Sequence, residues 1–91
     1  MEFEYDPAKS YSNAEKHGID FEQAKALWDD PHRLSVPGRY SKELRFALIA
    51  EWNGKVWFAV YTFRGTKVRL ISVRRARDDE RESYEPQNLD R

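Results

Sequence analysis

The 91 residues of this chain suffice for one small domain with a limited hydrophobic core. The chain has no cysteine, which excludes disulfides and thiolate metal sites, and no signal-peptide pattern or apolar run that would span a membrane, so we expect a cytoplasmic protein. Its 16 basic and 16 acidic residues cancel, yet positions 37–77 carry ten basic and only two acidic residues, which favours a phosphate-rich partner.

The N-terminal third predicts a short strand followed by two helices. Residues 2–5 alternate between acidic and aromatic side chains, which is a strand signal. Asp6 with Pro7 predicts a helix over residues 7–17, and Gly18 is its C-cap. Asp20 caps a second helix, which ends at Asp30-Pro31. Its apolar stripe consists of Phe21, Ala24, Leu27 and Trp28.

The remainder of the chain predicts strands and a closing helix. Asn53-Gly54 indicates a tight hairpin, and Arg64-Gly65-Thr66 a second turn. Strands are predicted over residues 33–36, 45–52, 55–63 and 67–74, and a helix over residues 78–84, capped by Asp78 or Asp79. In the last strand, strict alternation places Val68, Leu70, Ser72 and Arg74 on one face and Arg69, Ile71, Val73 and Arg75 on the other.

This order of elements predicts an α+β fold. We expect a short N-terminal strand and two N-terminal helices packed on a mostly antiparallel β-meander, with a short C-terminal helix, and all helices on one face of the sheet. Residues 1–85 form a single domain in this prediction, and residues 86–91 form a flexible tail.

The basic tract of residues 64–77 gives the strongest functional signal, because no acidic residue interrupts it. Guanidinium groups bind phosphate through two hydrogen bonds and keep their charge at any physiological pH. We therefore predict that Arg64, Arg69 and Arg74 contact phosphate. The alternative is a charged strand edge that only prevents aggregation.

Few side chains are candidates for proton transfer or base stacking. Histidine is the side chain whose unperturbed pKa lies near neutrality, and the chain has two, His17 and His32. His17, at a helix C-terminus, either balances the helix dipole or exchanges a proton with a ribose hydroxyl. His32 lies in a loop and has a weaker case. Glu80 acts as a base or orients an arginine, and an ion pair with Arg77 or Arg81 is the favoured interpretation. Tyr61 and Tyr84 belong to the core or stack on a base. No metal-ligand spacing is present, so we predict neither a metal nor a cofactor.

A set of motifs follows in order across nearly the whole chain: Tyr5-Asp6-Pro7, Lys16-His17-Gly18, Trp28-x-Asp30-Pro31, Arg45-Phe46, Tyr61-x-x-Arg64, Arg69-x-Ile71-Ser72-x-Arg74-Arg75-Ala76, and Glu80 with Tyr84-Glu85. This pattern resembles the BrnT family, the ribonuclease halves of bacterial type II toxin–antitoxin pairs. Asp78-Asp79 departs from the more basic run expected there.

The resemblance implies a RelE-like fold and metal-independent RNA cleavage that inhibits translation. It also implies a cognate BrnA-type antitoxin, which forms a hetero-oligomer with the toxin and contacts operator DNA on behalf of the pair. Expected catalytic residues are Arg64, Arg69, Arg74, His17 and Glu80. Expected RNA contacts are Lys9, Lys16, Arg45, Tyr61, Lys67, Arg75 and Tyr84.

Two other interpretations use the same basic sheet. One is a nucleic-acid-binding or regulatory module without catalysis. The other is a protein-interaction domain whose basic face meets an acidic partner. RNA binding without cleavage would favour the first, and an acidic protein partner without RNA binding would favour the second.

Overall fold

The computed structural model describes residues 1–38 and 43–85, which form a five-stranded sheet with three α-helices and one 3₁₀ helix. The elements are β1 (Phe3–Glu4), α1 (Pro7–His17), α2 (Phe21–Ala24), the 3₁₀ helix (Lys25–Asp29), β2 (Leu34–Pro37), β3 (Phe46–Trp52), β4 (Lys55–Arg64), β5 (Lys67–Arg75) and α3 (Asp78–Tyr84). The predicted α+β class and element order are confirmed. The predicted tail, residues 86–91, lies outside the described residues.

The strand order of the sheet is β1-β5-β4-β3-β2. The meander runs from β2, at one edge, to β5, which lies next to β1. β1 pairs parallel with β5, and the other neighbours pair antiparallel. Beyond β1, the edge of β5 is closed by the side chain of Asn13. Its amide nitrogen donates to the carbonyl of Val73 at 2.8 Å, and its oxygen accepts the Val73 N–H at 3.1 Å. The buried Asn13 thus replaces a strand neighbour and fixes α1 against β5.

The second predicted helix is split in two. α2 makes one turn, held by a capping box between Asp20 and Gln23, and the chain then tightens into the 3₁₀ helix. Phe21, Ala24 and Leu27 are spaced by three residues and are all 0% exposed. A 3₁₀ helix has three residues per turn, so the tightening keeps this stripe in the core.

The main core lies between these helices and one face of the sheet, which we call the inner face. Its buried members are Ile19, Phe21, Ala24 and Leu27 from the helical segment, Leu48 and Ala50 from β3, Trp57, Ala59 and Tyr61 from β4, and Val68, Leu70 and Val73 from β5. Trp28 packs edge-on against Tyr61, with ring centroids 5.2 Å apart. The opposite face of the sheet is the outer face.

A β-bulge interrupts the pairing of β4 with β5. Tyr61 lies opposite Leu70, but Val60 lies opposite Ser72, so Ile71 has no partner in the register. Because side chains alternate along a strand, one extra residue moves every later side chain to the other face.

The predicted facial alternation is therefore wrong beyond Leu70. Val73 and Arg75 lie opposite Ala59 and Trp57 and so point to the inner face. Arg74 lies opposite Phe58 on the outer face, the face that also holds Arg69. The bulge thus brings to one face two arginines that strict alternation separates.

The expectation that all helices pack on one face is also wrong. Glu80, in the first turn of α3, hydrogen-bonds Arg74, which is on the outer face. α3 also contacts β3, where Ala47 and Ile49 are buried on the side away from the main core. These apolar outer-face residues explain why the C-terminal helix packs there.

Candidate functional site

A cleft of about 610 Å³ lies on the outer face beside the first turn of α3. Its floor is apolar and consists of Ala47, Phe58 and Val60, while charged groups surround it. The lining residues are Gly38, Arg45, Phe46, Ala47, Phe58, Val60, Arg74, Arg77, Asp79 and Glu80. The floor residues alternate in sequence with core residues of the inner face, so the same strands build both.

Arg74 is fixed in this cleft on three sides. Its Nη1 and Nη2 each donate to a carboxylate oxygen of Glu80 at 2.8 Å, and Nη1 also donates to the carbonyl of Arg75 at 3.1 Å. Its guanidinium lies over the Phe58 ring, 4.3 Å from the centroid. Bidentate pairing of this kind fixes the orientation of the guanidinium plane.

The same pair sets the charge state of Glu80. The hydrogen bonds from Arg74 lower the pKa of the Glu80 carboxyl, and a further bond from the backbone N–H of Arg77 at 2.8 Å acts in the same direction. The hydrogen bond to Glu80 raises the pKa of Arg74. Glu80 is therefore an ionised partner of an arginine, and its lowered pKa makes it a weak proton acceptor.

Arg45 has different surroundings. It immediately precedes β3, and its carbonyl accepts the Gly38 N–H at 2.8 Å. A Cβ on Gly38 would lie 2.9 Å from that carbonyl oxygen, so the close approach requires glycine. The Nε of Arg45 is buried and has no hydrogen-bond partner among residues 1–38 and 43–85.

The other two predicted catalytic arginines lie outside the cleft lining. Arg69 pairs with Glu4 of β1 at 2.7 Å on the outer face. Arg64 ends β4, is half exposed, and reaches Glu43 at 3.4 Å. Lys67 is exposed at the start of β5, beyond the turn that follows Arg64. These groups extend the positive surface away from the cleft.

The remaining basic candidates lie elsewhere on the molecule. His17, Lys9 and Lys16 are exposed on α1, with His17 in its last turn before Gly18. Arg75 is exposed on the inner face, with its guanidinium 5.7 Å from the centre of the Trp57 ring. None of these side chains lines the cleft.

The two candidate tyrosines are part of the core. Tyr61 is 5% exposed, packs against Phe46 with centroids 5.6 Å apart, and shares a 2.8 Å hydrogen bond with the hydroxyl of Ser35. Tyr84 is 3% exposed, and its hydroxyl donates to Asp30 at 2.5 Å. Burial of both rings supports their structural role over base stacking.

Asp30 is a connecting residue, although the sequence marked it only as the end of the second helix and as part of the Trp28-x-Asp30-Pro31 motif. Its carboxylate accepts hydrogen bonds from the backbone N–H of His32, the backbone N–H of Glu51 and the hydroxyl of Tyr84. Burial alone would raise the pKa of Asp30, but these hydrogen bonds outweigh it and lower the pKa. Asp30 therefore joins α3, the edge of β3 and the loop before β2.

Phe58, Arg77 and Asp79 also line the cleft, although the sequence pattern singled out none of them as a site residue. In the sequence, Phe58 is one of several aromatic residues of a predicted strand, and Arg77 is the last residue of the basic tract. Across the described residues, no cluster of three or more His, Cys, Asp or Glu is placed to hold a metal ion. Within those same residues, no helix is long and apolar enough to cross a membrane.

Comparison with known families now gives the cleft its context. Residues 5–80 match the family described as ribonuclease toxin, BrnT, of type II toxin–antitoxin system. The chain belongs to this BrnT family. No curated protein gives a significant match to it. The matched range includes every residue of the cleft lining, and membership implies RNA as the substrate and an antitoxin as the partner.

Proposed function

We propose that this BrnT protein is an endoribonuclease that cleaves RNA in the cleft without a metal ion, inhibits translation, and is neutralised by a cognate BrnA-type antitoxin. The observation that carries the proposal is the cleft itself, in which Arg45, Arg74 and Arg77 surround an apolar floor. Family membership supplies the class of reaction. We extend the proposal to a RelE-like fold and a cytoplasmic location.

The cleavage step needs no group beyond the RNA and the protein. The ribose 2′-oxygen attacks the adjacent phosphorus and loses its proton, while the bond from phosphorus to the 5′-oxygen breaks. The leaving 5′-oxygen takes up a proton. The products are a 2′,3′-cyclic phosphate and a 5′-hydroxyl, and no electrons are transferred to or from an external group.

The arginines stabilise the charge that develops on the phosphoryl oxygens. Fixed positive groups in a partly enclosed site cost no reorganisation at the moment of reaction, and each is worth several kcal/mol, about 2–4, by mutational analogy. Arg74 is held for this task by Glu80, which we propose as a positioning residue. Arg69 and Arg64, outside the cleft, are proposed to guide the RNA backbone towards it.

His17 is a candidate for proton transfer by its chemistry, but its place on α1 outside the cleft lining leads us to expect that it takes no part in the cleavage step. An imidazole is the side chain best matched to proton exchange near neutral pH. Its position on α1, outside the cleft lining, makes it the assignment most in need of a direct test.

The antitoxin is proposed to act by covering the cleft and the adjoining basic surface. An acidic, amphipathic segment would pair with Arg64, Lys67 and Arg77 and place apolar side chains against exposed Phe63 and Leu44. Direct exclusion of RNA from the cleft follows from such a placement.

The proposed function is tested with purified, antitoxin-free protein and total RNA in EDTA. We expect fragments with 5′-hydroxyl ends and, early in the reaction, 2′,3′-cyclic phosphate ends. Arg74→Gln is the matched control for a contaminating nuclease, because it keeps the purification and removes the guanidinium. RNA that stays intact in EDTA and degrades only after magnesium is added would contradict metal-free cleavage. Binding without cleavage under both conditions would favour the non-catalytic interpretation.

A further inference from the structure

The cleft contains two arginines in opposite states. Arg74 is paired, since both of its terminal nitrogens donate to Glu80 and Nη1 also donates to the backbone carbonyl of Arg75, which together use three of its five N–H groups. Arg45 makes no ion pair with any residue of the described ranges, and its buried Nε has no hydrogen-bond partner there. Two such groups in one cleft are suited to different parts of a ligand.

Arg74 offers the flat face of a guanidinium whose plane is fixed by Glu80. One side of its guanidinium rests on Phe58 at 4.3 Å, and its side chain remains 26% exposed. Nucleobases stack on arginine planes as well as on aromatic rings, and a guanidinium held in place loses little freedom when a base stacks on it. The apolar floor beside it, formed by Val60 and Ala47, suits the hydrophobic faces of a base better than it suits a bare anion.

Arg45 offers what a phosphate requires. A buried N–H without a partner is unfavourable, and an anion that accepts from it removes that cost. Arg64, Arg69 and Arg74 already have carboxylate partners, with which a phosphate would have to compete. Arg45 has none in the described residues, and its backbone is fixed by the bond from Gly38.

We propose that the cleft is a single-nucleotide subsite in which Arg45 binds the phosphate and the Arg74–Phe58 stack binds the base. The subsite rests on the proposed function, since RNA supplies the nucleotide. It gives the hydrogen bond to the phosphate to Arg45 and the stacking of the base to Arg74, whose positive charge still acts on the phosphoryl group through space. Glu80 then serves base binding, because it holds the plane on which the base stacks.

Calorimetric titration with three small probes tests the subsite without any cleavage. The probes are adenosine 3′-monophosphate, adenosine and inorganic phosphate. In the unaltered protein we expect the nucleotide to bind more tightly than either part. Arg45→Gln should weaken nucleotide binding about tenfold, the size of one lost charge-assisted hydrogen bond, and leave adenosine binding unchanged.

Phe58→Leu should have the complementary effect. It keeps an apolar floor but removes the ring behind Arg74, so nucleotide and adenosine should both weaken by about threefold to tenfold while phosphate binding is retained. Arg81→Gln, on α3 and paired with Asp78 and Glu85 outside the cleft, is the matched control and should change none of the three affinities. Melting temperatures of all variants establish that they are folded. If Arg45→Gln does not fold, Arg45→Lys replaces it and should show a smaller loss confined to the phosphate-containing probes.

Several outcomes would overturn the subsite: a nucleotide that binds no better than adenosine, unchanged nucleotide binding in folded Arg45→Gln or Arg45→Lys, or a Phe58→Leu loss confined to phosphate. RNA cleavage by the same preparations separates this inference from the proposed function. Cleavage that survives while Arg45→Gln binds the nucleotide normally overturns the subsite alone. Arg45-dependent nucleotide binding by a protein that cuts no RNA overturns the ribonuclease and leaves the subsite in place.

Discussion

The two faces of the sheet are both built from β3, β4 and β5, but they have different functions. On β4, Trp57 and Ala59 are buried against the helices, while Phe58 and Val60 form the floor of the cleft. The inner face excludes water and stabilises the fold. The outer face gathers arginines beside an apolar floor and leaves room for a ligand. Alternation within one strand is therefore enough to place the residues that stabilise the fold on one face and those that line the cleft on the other.

The bulge decides how charge is distributed between the two faces. If Ile71 were paired as in a regular strand, Arg74 would share a face with Leu70 and be directed at the core. With the bulge, Arg74 lies in the cleft and Arg75 lies over Trp57 on the other side. Bulges that redirect a side chain near a functional site are a recurrent use of this irregularity.

The largest expected effect comes from breaking the inner face. Phe21→Ala removes a fully buried ring from the core between α2 and the sheet, and should cost about 3–5 kcal/mol. That is a large share of the roughly 5–15 kcal/mol typical of a domain. Denaturant unfolding measures it. Ser72→Ala, exposed on the outer face, is the control and should change stability by less than about 0.5 kcal/mol. Equal losses in the two variants would contradict the assignment of the core to one face.

The next largest effect is on RNA cleavage, and it distinguishes two arginines that are adjacent in sequence, Arg74 and Arg75. Arg74→Gln removes the guanidinium from the cleft and should lower single-turnover cleavage by about 10²-fold. Arg75→Gln removes the same charge from the inner face and should reduce cleavage only about threefold, through weaker long-range attraction of RNA. Both variants are assayed at equal folded concentration, established by circular dichroism.

The salt dependence of RNA binding is measured on the same two variants, Arg74→Gln and Arg75→Gln. A lost phosphate contact lowers the slope of binding against salt concentration, and both substitutions remove one positive charge. Equal losses of cleavage in the two variants would show that charge alone matters and that the outer face is not the active surface. A greater loss in Arg75→Gln would move the active surface to the inner face.

A smaller effect concerns the attachment of α3 to the sheet. Asp30→Asn replaces a carboxylate that accepts three hydrogen bonds with an amide that has only one acceptor oxygen, and should cost about 2 kcal/mol at pH 7. The pKa of Asp30 is lowered in the folded protein. Its contribution is therefore complete above the unfolded-state pKa of about 4 and is lost as the pH falls through the lower folded-state pKa.

Melting curves over a pH series test this linkage. The unaltered protein should lose stability below about pH 4 more steeply than Asp30→Asn does, since the variant has no carboxyl to protonate at this position. Asp29→Asn, a neighbouring exposed carboxylate, is the control and should leave the difference intact. Parallel curves for the unaltered protein and Asp30→Asn would show that Asp30 is not a source of acid sensitivity.

Local signals predicted much of this architecture because each acts within a few residues. Asp6, Pro7 and Gly18 mark the ends of α1 as expected, and Asn53 with Gly54 makes the hairpin, both with positive φ. The cleft was harder to predict. The bulge depends on pairing across two strands, and the side of the sheet taken by α3 depends on its contacts with β3, which is distant in sequence, as well as on the Arg74–Glu80 pair. The basic tract was visible in the sequence, but its division between two faces was not.

The smallest expected effect is at His17, which tests whether chemistry is confined to the outer face. His17 is exposed in the last turn of α1 and lies outside the cleft lining, so we expect His17→Ala to leave single-turnover cleavage within about twofold. An imidazole in the last turn of a helix can interact favourably with the helix dipole, so the variant should lose at most about 1 kcal/mol of stability. Cleavage and melting temperature are measured on one preparation, with the exposed Ser12→Ala on the same helix as control. A loss of about 10²-fold in rate with RNA affinity retained would instead make His17 the proton-transfer group. The substrate would then have to reach beyond the cleft to α1, and the separation of the two faces would hold for binding but not for catalysis.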